Sequence, residues 1–131
     1  MKKNGLLNRD LSAVVAAMGH YDRLVICDAG FPIPLDMDYV DLSLQPGTPS
    51  VLEVVDLLLQ ELEVEEAYVA SEALKAMPDR LITLADRLPK AKVEDVPHSD
   101  FKTLAASARA VIRTGDFTPY ANVMLVSGVV Y

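Results

Sequence analysis

The feature that most constrains this chain is an alternation. Short apolar runs of strand length recur between stretches whose apolar residues return at helical spacing. Arg23 to Cys27, Tyr39 to Leu44 and Ala67 to Ala70 are such runs, and Ala110 to Ile112 and Val123 to Val126 close the series. Between them lie helical stripes: Leu7, Leu11, Val14, Val15 and Met18; then Val51, Val54, Val55, Leu58 and Leu62; then Leu81, Leu84, Ala85 and Leu88; then Phe101, Leu104 and Ala105. Strands separated by amphipathic helices pair through crossovers, which predicts an α/β fold, a single layered domain with a central, mostly parallel sheet flanked by helices. At 131 residues the chain is long enough for one core and short for two.

Local signals set the expected boundaries. Asn8 is a predicted N-cap and Gly19 a C-cap for a first helix from Arg9 to Met18. Ser50 and Glu53 have the spacing of a capping box, ahead of a helix whose stripe reaches Leu62. A third helix is expected to begin near Pro78, and Ser99 to cap the last one. Pro32 and Pro34 offer no N–H to a ladder, so the chain turns away after Asp28-Ala29-Gly30. Val93 to Val96 reads as a short edge strand.

Charge and cysteine use narrow the function classes. A net charge of −7 without a Lys/Arg cluster argues against a nucleic-acid partner. No apolar run approaches the roughly 20 residues that span a bilayer, and Met1 to Gly5 leads into the first helix without a secretory core, so no membrane association and a cytoplasmic location are expected. The single cysteine, Cys27, sits in an apolar run and reads as a buried, inert thiol. With 51% apolar and 24% charged residues, some surface is expected to be covered by other copies of the chain.

The polar groups concentrate in a few places. Arg113 to Asn122, R-T-G-D-F-T-P-Y-A-N, is read as a loop between two buried strands, with Arg113, Asp116, Tyr120 and Asn122 arranged around a Gly and a Pro. An ordinary polar turn has the same composition. The two histidines, His20 and His98, stand at element boundaries, and histidine is the side chain best suited to exchange a proton near neutral pH. Asp28 directly follows a strand, where ligands of such folds bind. No metal-binding spacing, phosphate loop or nucleophile elbow is present. What remains, His, Asp, Tyr, Asn and a loop backbone, suits a site that binds several hydroxyls while moving a proton, as a sugar site does. Lys102, one turn beyond His98, is a further candidate, with a solvated lysine as the plainer reading.

Several blocks together carry a family resemblance. M-K-K-N-G-L-L-N at the N-terminus, G-H-Y-D at Gly19 to Asp22, D-A-G-F-P-I-P at Asp28 to Pro34, D-L-S-L-Q-P-G at Asp41 to Gly47 and V-I-R-T-G-D-F-T-P-Y-A-N at Val111 to Asn122 closely resemble the D-ribose pyranase family of ribose mutarotases. The resemblance runs end to end and is weakest from Ser71 to Asp95. It implies interconversion of the β-pyranose and β-furanose forms of D-ribose without a cofactor. It implies His20 as proton donor, and Asp28, His98, Tyr120, Ala121 and Asn122 as substrate-binding residues. It also implies a homo-oligomer, commonly a decamer of two pentamers. Its sites would lie at subunit interfaces, with His20 and Asp28 from one chain and the C-terminal loop from its neighbour. An L-fucose mutarotase, or a sugar-binding oligomer without catalysis, are the competing readings.

Overall fold

The computed structural model describes residues 1–131 as one layered α/β domain. In chain order it contains α1 (Arg9–Ala17), β1 (Arg23–Cys27), β2 (Tyr39–Asp41), α2 (Val51–Leu58), β3 (Val64–Ala70), α3 (Ala73–Ala76), α4 (Pro78–Arg87), β4 (Lys92–Val96), α5 (His98–Ala105), β5 (Ala110–Arg113) and β6 (Val123–Ser127). The six-stranded sheet has the order β2-β5-β1-β6-β3-β4. β2, β5 and β1 pair in parallel, as do β3 and β4, while β6 runs antiparallel to both its neighbours. The expected mostly parallel sheet is therefore present, with β4 at an edge as read from the sequence.

That one reversed strand organises the molecule. Ile26 at the end of β1 pairs with Val123 at the start of β6, and Val69 near the end of β3 pairs with Val123 from the other side. The C-terminal ends of the parallel strands thus meet the beginning of β6 along one rim of the sheet. The opposite rim joins the start of β1, the start of β3 and the end of β6, since Arg23 pairs with Val126 and Val64 with Ser127.

The helices cover both faces. α2 begins at a complete capping box, Ser50 Oγ accepting from the Glu53 N–H and the Glu53 carboxylate from the Ser50 N–H. It buries Val51, Val54, Val55 and Leu58 in the larger core, each contributing on the order of 1.5–3 kcal/mol. On the other face Phe101 and Ala105 of α5 pack on Val25, Cys27, Val111 and Met124. No helix is long and apolar enough to cross a membrane.

Some boundaries differ from the sequence reading, each for a local reason. α1 is capped as expected by Asn8, whose Oδ1 accepts from Leu11 N–H, but it ends in an extended Met18 rather than at a left-handed Gly19. The left-handed residue here is Tyr21, with φ 66°. β2 stops at Asp41, not Leu44, because Asp41 Oδ1 accepts from the Ser43 N–H and turns the chain. α2 stops at Leu58 and Leu62 reaches the core from the following turn. α5 starts at His98 after Pro97, without the predicted Ser99 cap; the His98 N–H goes instead to the Glu72 carboxylate, 2.9 Å away. α3 was not anticipated.

Cys27 is fully buried, and that burial, reinforced by the Asp28 charge, pushes its thiol up to about 12. The native protein is therefore expected to resist iodoacetamide at pH 8 and to take up the reagent only when unfolded. Mass spectrometry of the native and denatured protein measures this directly, and rapid alkylation of the folded state would contradict it.

Candidate active site

The residues singled out from the sequence do not all come together. Asp28 follows β1, His98 follows β4, and Tyr120 to Asn122 precede β6, so all of them lie on the rim where the parallel strands end. The Asp28 N–H donates to Asn122 Oδ1 at 2.9 Å, which joins two of them across the β1–β6 boundary. Asp28 Oδ1 in turn accepts from the Gly30 N–H at 2.9 Å, fixing the turn after the strand. The His98 and Tyr120 rings meet edge to face with centroids 5.2 Å apart, and Phe31 stands edge-on to His98 at 6.4 Å.

Two atoms in this cluster are conspicuous. His98 Nδ1 and Asn122 Nδ2 are buried, and neither has a hydrogen-bond partner. A buried polar atom without a partner costs about 1–3 kcal/mol, so two beside each other's loops mark a place prepared for something polar. Tyr120 adds a backbone held at φ 61°, a conformation that side-chain-bearing residues adopt only under constraint. Ala121, between them, is buried in the larger core and offers only its backbone.

The rest of the loop supplies the constraint. Asp116, almost fully buried, accepts a two-pronged contact from Arg80 of α4 at 2.7 and 3.1 Å, and N–H groups from Val51 at the start of α2 and from Thr118. Burial pushes its carboxyl up, but the Arg80 guanidinium and these N–H donors outweigh it and bring it down to about 2. Arg113 donates to Asp41, Ser43 and the Ala29 carbonyl, tying the end of β2 to the turn after Asp28. Gly115 lies so near the Gln45–Thr48 turn that a Cβ would sit 2.2 Å from the Thr48 carbonyl oxygen. Arg113 and Asp116 are thus fasteners, while Tyr120 and Asn122 remain available.

The largest cleft, about 380 Å³, is lined by Asp28 to Gly30, Arg113 and Asp116 to Pro119. Of the residues the family resemblance implies for the site it holds only Asp28, and its charged walls, Arg113 and Asp116, are already engaged by Asp41 and Arg80. No three His, Cys, Asp or Glu side chains converge to hold a metal ion.

His20 is elsewhere. It precedes β1 and so stands at the opposite rim, separated from Asp28 by a strand of five residues, roughly 16 Å at about 3.3 Å each. There it is exposed, stacks on Tyr21 with centroids 3.8 Å apart and places Nε2 3.0 Å from the Glu65 carboxylate. This corrects the expected division of the site. A single chain unites Asp28 with the C-terminal loop and sends His20 away from both, because β6 runs antiparallel to β1 and its first residues meet the end of β1.

Comparison with known proteins bears on what this arrangement is for. A profile of the RbsD / FucU transport protein family matches residues 1–130. The chain belongs to this family. Among its curated relatives, a D-ribose pyranase of Lactobacillus johnsonii is 44% identical over 131 residues, covering all of both chains. Another D-ribose pyranase, of Chloroflexus aggregans, is 47% identical with the same full coverage. The solved structure of Bacillus subtilis RbsD complexed with D-ribose superposes with a TM-score of 0.96 at 40% identity, again covering all of both chains.

Sequence reasoning within this RbsD / FucU chain missed Arg80 and Phe31. Arg80 occupies the first turn of an unremarkable amphipathic helix, and nothing in its neighbours signals that it reaches Asp116 across the fold. Phe31 carries no sequence signal beyond its place in a proline-bounded turn; packed on Phe101 at 6.0 Å, it forms the wall behind His98. Lys102 is exposed on α5 and makes no ion pair.

Proposed function

We propose that this chain is a D-ribose pyranase, an isomerase that interconverts the β-pyranose and β-furanose forms of D-ribose. The observation that carries the reading is the pair of buried, unpartnered atoms, His98 Nδ1 and Asn122 Nδ2, on the rim shared with Asp28 and Tyr120. A polyhydroxylated ring satisfies both, and relatives over 40% identical along the full length are D-ribose pyranases.

In the proposed mechanism Asn122 donates Nδ2–H to a sugar hydroxyl while its Oδ1 is held by the Asp28 N–H, and His98 uses Nδ1 for a second hydroxyl. Asp28 accepts from a third, Tyr120 closes one side of the ring, and the Ala121 backbone follows its contour. A base removes the proton of the anomeric hydroxyl, the bond between C1 and the ring oxygen breaks, and His20 gives a proton to that oxygen. The open-chain aldehyde then closes through the C4 hydroxyl, whose proton returns to the site as C1 regains its hydroxyl. Atoms and charge balance without an oxidant or covalent intermediate.

His20 enters such a site from a neighbouring copy. Support for this comes from its exposure and its distance from Asp28, and from exposed apolar residues such as Leu44 and Phe117 flanking the loop. The assembly proposed is a homodecamer of two stacked pentamers, acting on ribose in the cytoplasm.

Magnetisation-transfer NMR on D-ribose at equilibrium tests the activity. Added protein is expected to speed exchange between the pyranose and furanose anomeric signals. Exchange that stays at the rate of buffer, in a folded and assembled sample, refutes the assignment, and acceleration for L-fucose alone would transfer it to the fucose mutarotase reading.

A further inference from the structure

Glu65 lies in β3, but the ladder between β3 and β6 does not count through it evenly. Val64 pairs with Ser127 and Glu66 with Val126, so Glu65 is the extra residue of a β-bulge. A bulge turns a side chain out of the alternating pattern and re-aims it, and bulges concentrate beside active sites. Here the re-aimed carboxylate ends 3.0 Å from His20 Nε2. Gly128 makes room for it, since a Cβ there would lie 3.3 Å from Glu65 Cβ and 3.5 Å from Oε2.

The segment carrying His20 is fixed from several directions at once. The Tyr21 N–H donates to the Ser127 carbonyl and the Ser127 N–H to the Asp22 carbonyl, both at 2.9 Å. The Asp22 carboxylate holds the Gly19 N–H at 2.7 Å and Arg109 at 2.6 Å. Tyr21, in its left-handed backbone conformation, lays its ring against the imidazole at an interplanar angle of 19°. Stacking fixes the plane of the imidazole, but a half-turn about the Cβ–Cγ bond keeps that plane while exchanging the two edges of the ring. The Glu65 contact removes that last freedom.

We infer that Glu65 is the positioning residue of His20: the bulged carboxylate accepts Nε2–H and so presents Nδ1 as the nitrogen that delivers the proton to the sugar ring oxygen. This rests on the proposed role of His20. After Nδ1 has given up its proton, the neutral ring keeps Nε2–H on Glu65, and one tautomer is retained through the cycle. Glu65 touches no substrate, so its removal leaves ribose binding alone and misdirects the donor.

The test uses the full-length assembled protein. Replacing Glu65 with Ala is expected to lower kcat for ribose exchange about tenfold to a hundredfold with KM unchanged, the scale of losing a donor's alignment. Nitrogen-15 spectra of the neutral His20 ring should pass from Nε2–H alone to a mixture of tautomers. Glu65→Gln, whose amide oxygen still accepts Nε2–H, should restore the tautomer and most of the rate. Wild-type kcat in Glu65→Ala, or a loss with no tautomer change that Glu65→Gln does not recover, overturns the inference. His20→Ala measured alongside separates the two readings: full activity in that variant refutes the role of His20 itself, whereas a slow His20→Ala beside a wild-type Glu65→Ala refutes Glu65 alone.

Discussion

Replacing His20 with Ala is expected to remove most of the catalysed exchange of D-ribose, by the roughly 10²- to 10⁴-fold that a positioned proton donor contributes, while leaving the fold intact. The side chain is exposed, stacks on Tyr21, hydrogen-bonds Glu65 and belongs to neither core cluster, so no core packing goes with it. Asp28→Ala should be comparably slow, because it strips the opposite rim of its carboxylate. The two rims give this pair a decisive use. If each site joins the Asp28 rim of one chain to His20 of another, chains carrying His20→Ala still own a sound Asp28 rim, and chains carrying Asp28→Ala still own a sound His20. Co-expressed and randomly assembled in equal amounts, they should recover about a quarter of the wild-type activity, since half the rims of each kind are intact. Exchange NMR on the mixed assembly reads this directly. Activity no higher than that of either variant alone, with mixing verified by mass spectrometry, means that one chain builds the whole site after all.

The second large effect concerns stability. Asp116→Ala should destabilise the protein by about 3–5 kcal/mol, the cost of removing one partner of a buried ion pair. Arg80 would keep only the Thr118 hydroxyl, the Val51 N–H would lose its acceptor at the start of α2, and the Thr118 N–H would lose its own. Urea unfolding of the two proteins at neutral pH measures the difference, and a change below about 1 kcal/mol would show that the loop is held by its backbone alone. The same residue sets an acid limit. Its folded value of about 2 lies below the ordinary 3.8, so the stabilisation is complete above about pH 4 and is lost as pH falls towards 2. It amounts to about 2 kcal/mol. Asp116→Asn should flatten this part of the pH profile.

The sequence was a good guide wherever local chemistry decides. The capping box at Ser50, the Asn8 cap, the strand over Arg23 to Cys27 and the loop between two buried strands all follow from neighbours in the chain, and all are present. Where a distant partner decides, the signal was missing. Glu72 draws the start of α5 back to His98, and Arg80 meets Asp116 from another helix. Within the candidate site, residue types pointed correctly to hydrogen-bonding chemistry, but no periodicity reveals that β6 is reversed. That single direction decides which predicted residues share a rim, and it is why Asp28 joins Asn122 rather than His20.

The length of β1 has one more consequence. A strand that keeps His20 and the Asp28 rim apart makes an isolated chain silent on the proposed division, however well it folds. Catalysis then appears only as chains find one another, so specific activity should collapse on dilution below the assembly threshold and return on concentration. A cell making such a protein has, in its expression level, a threshold as well as a dose.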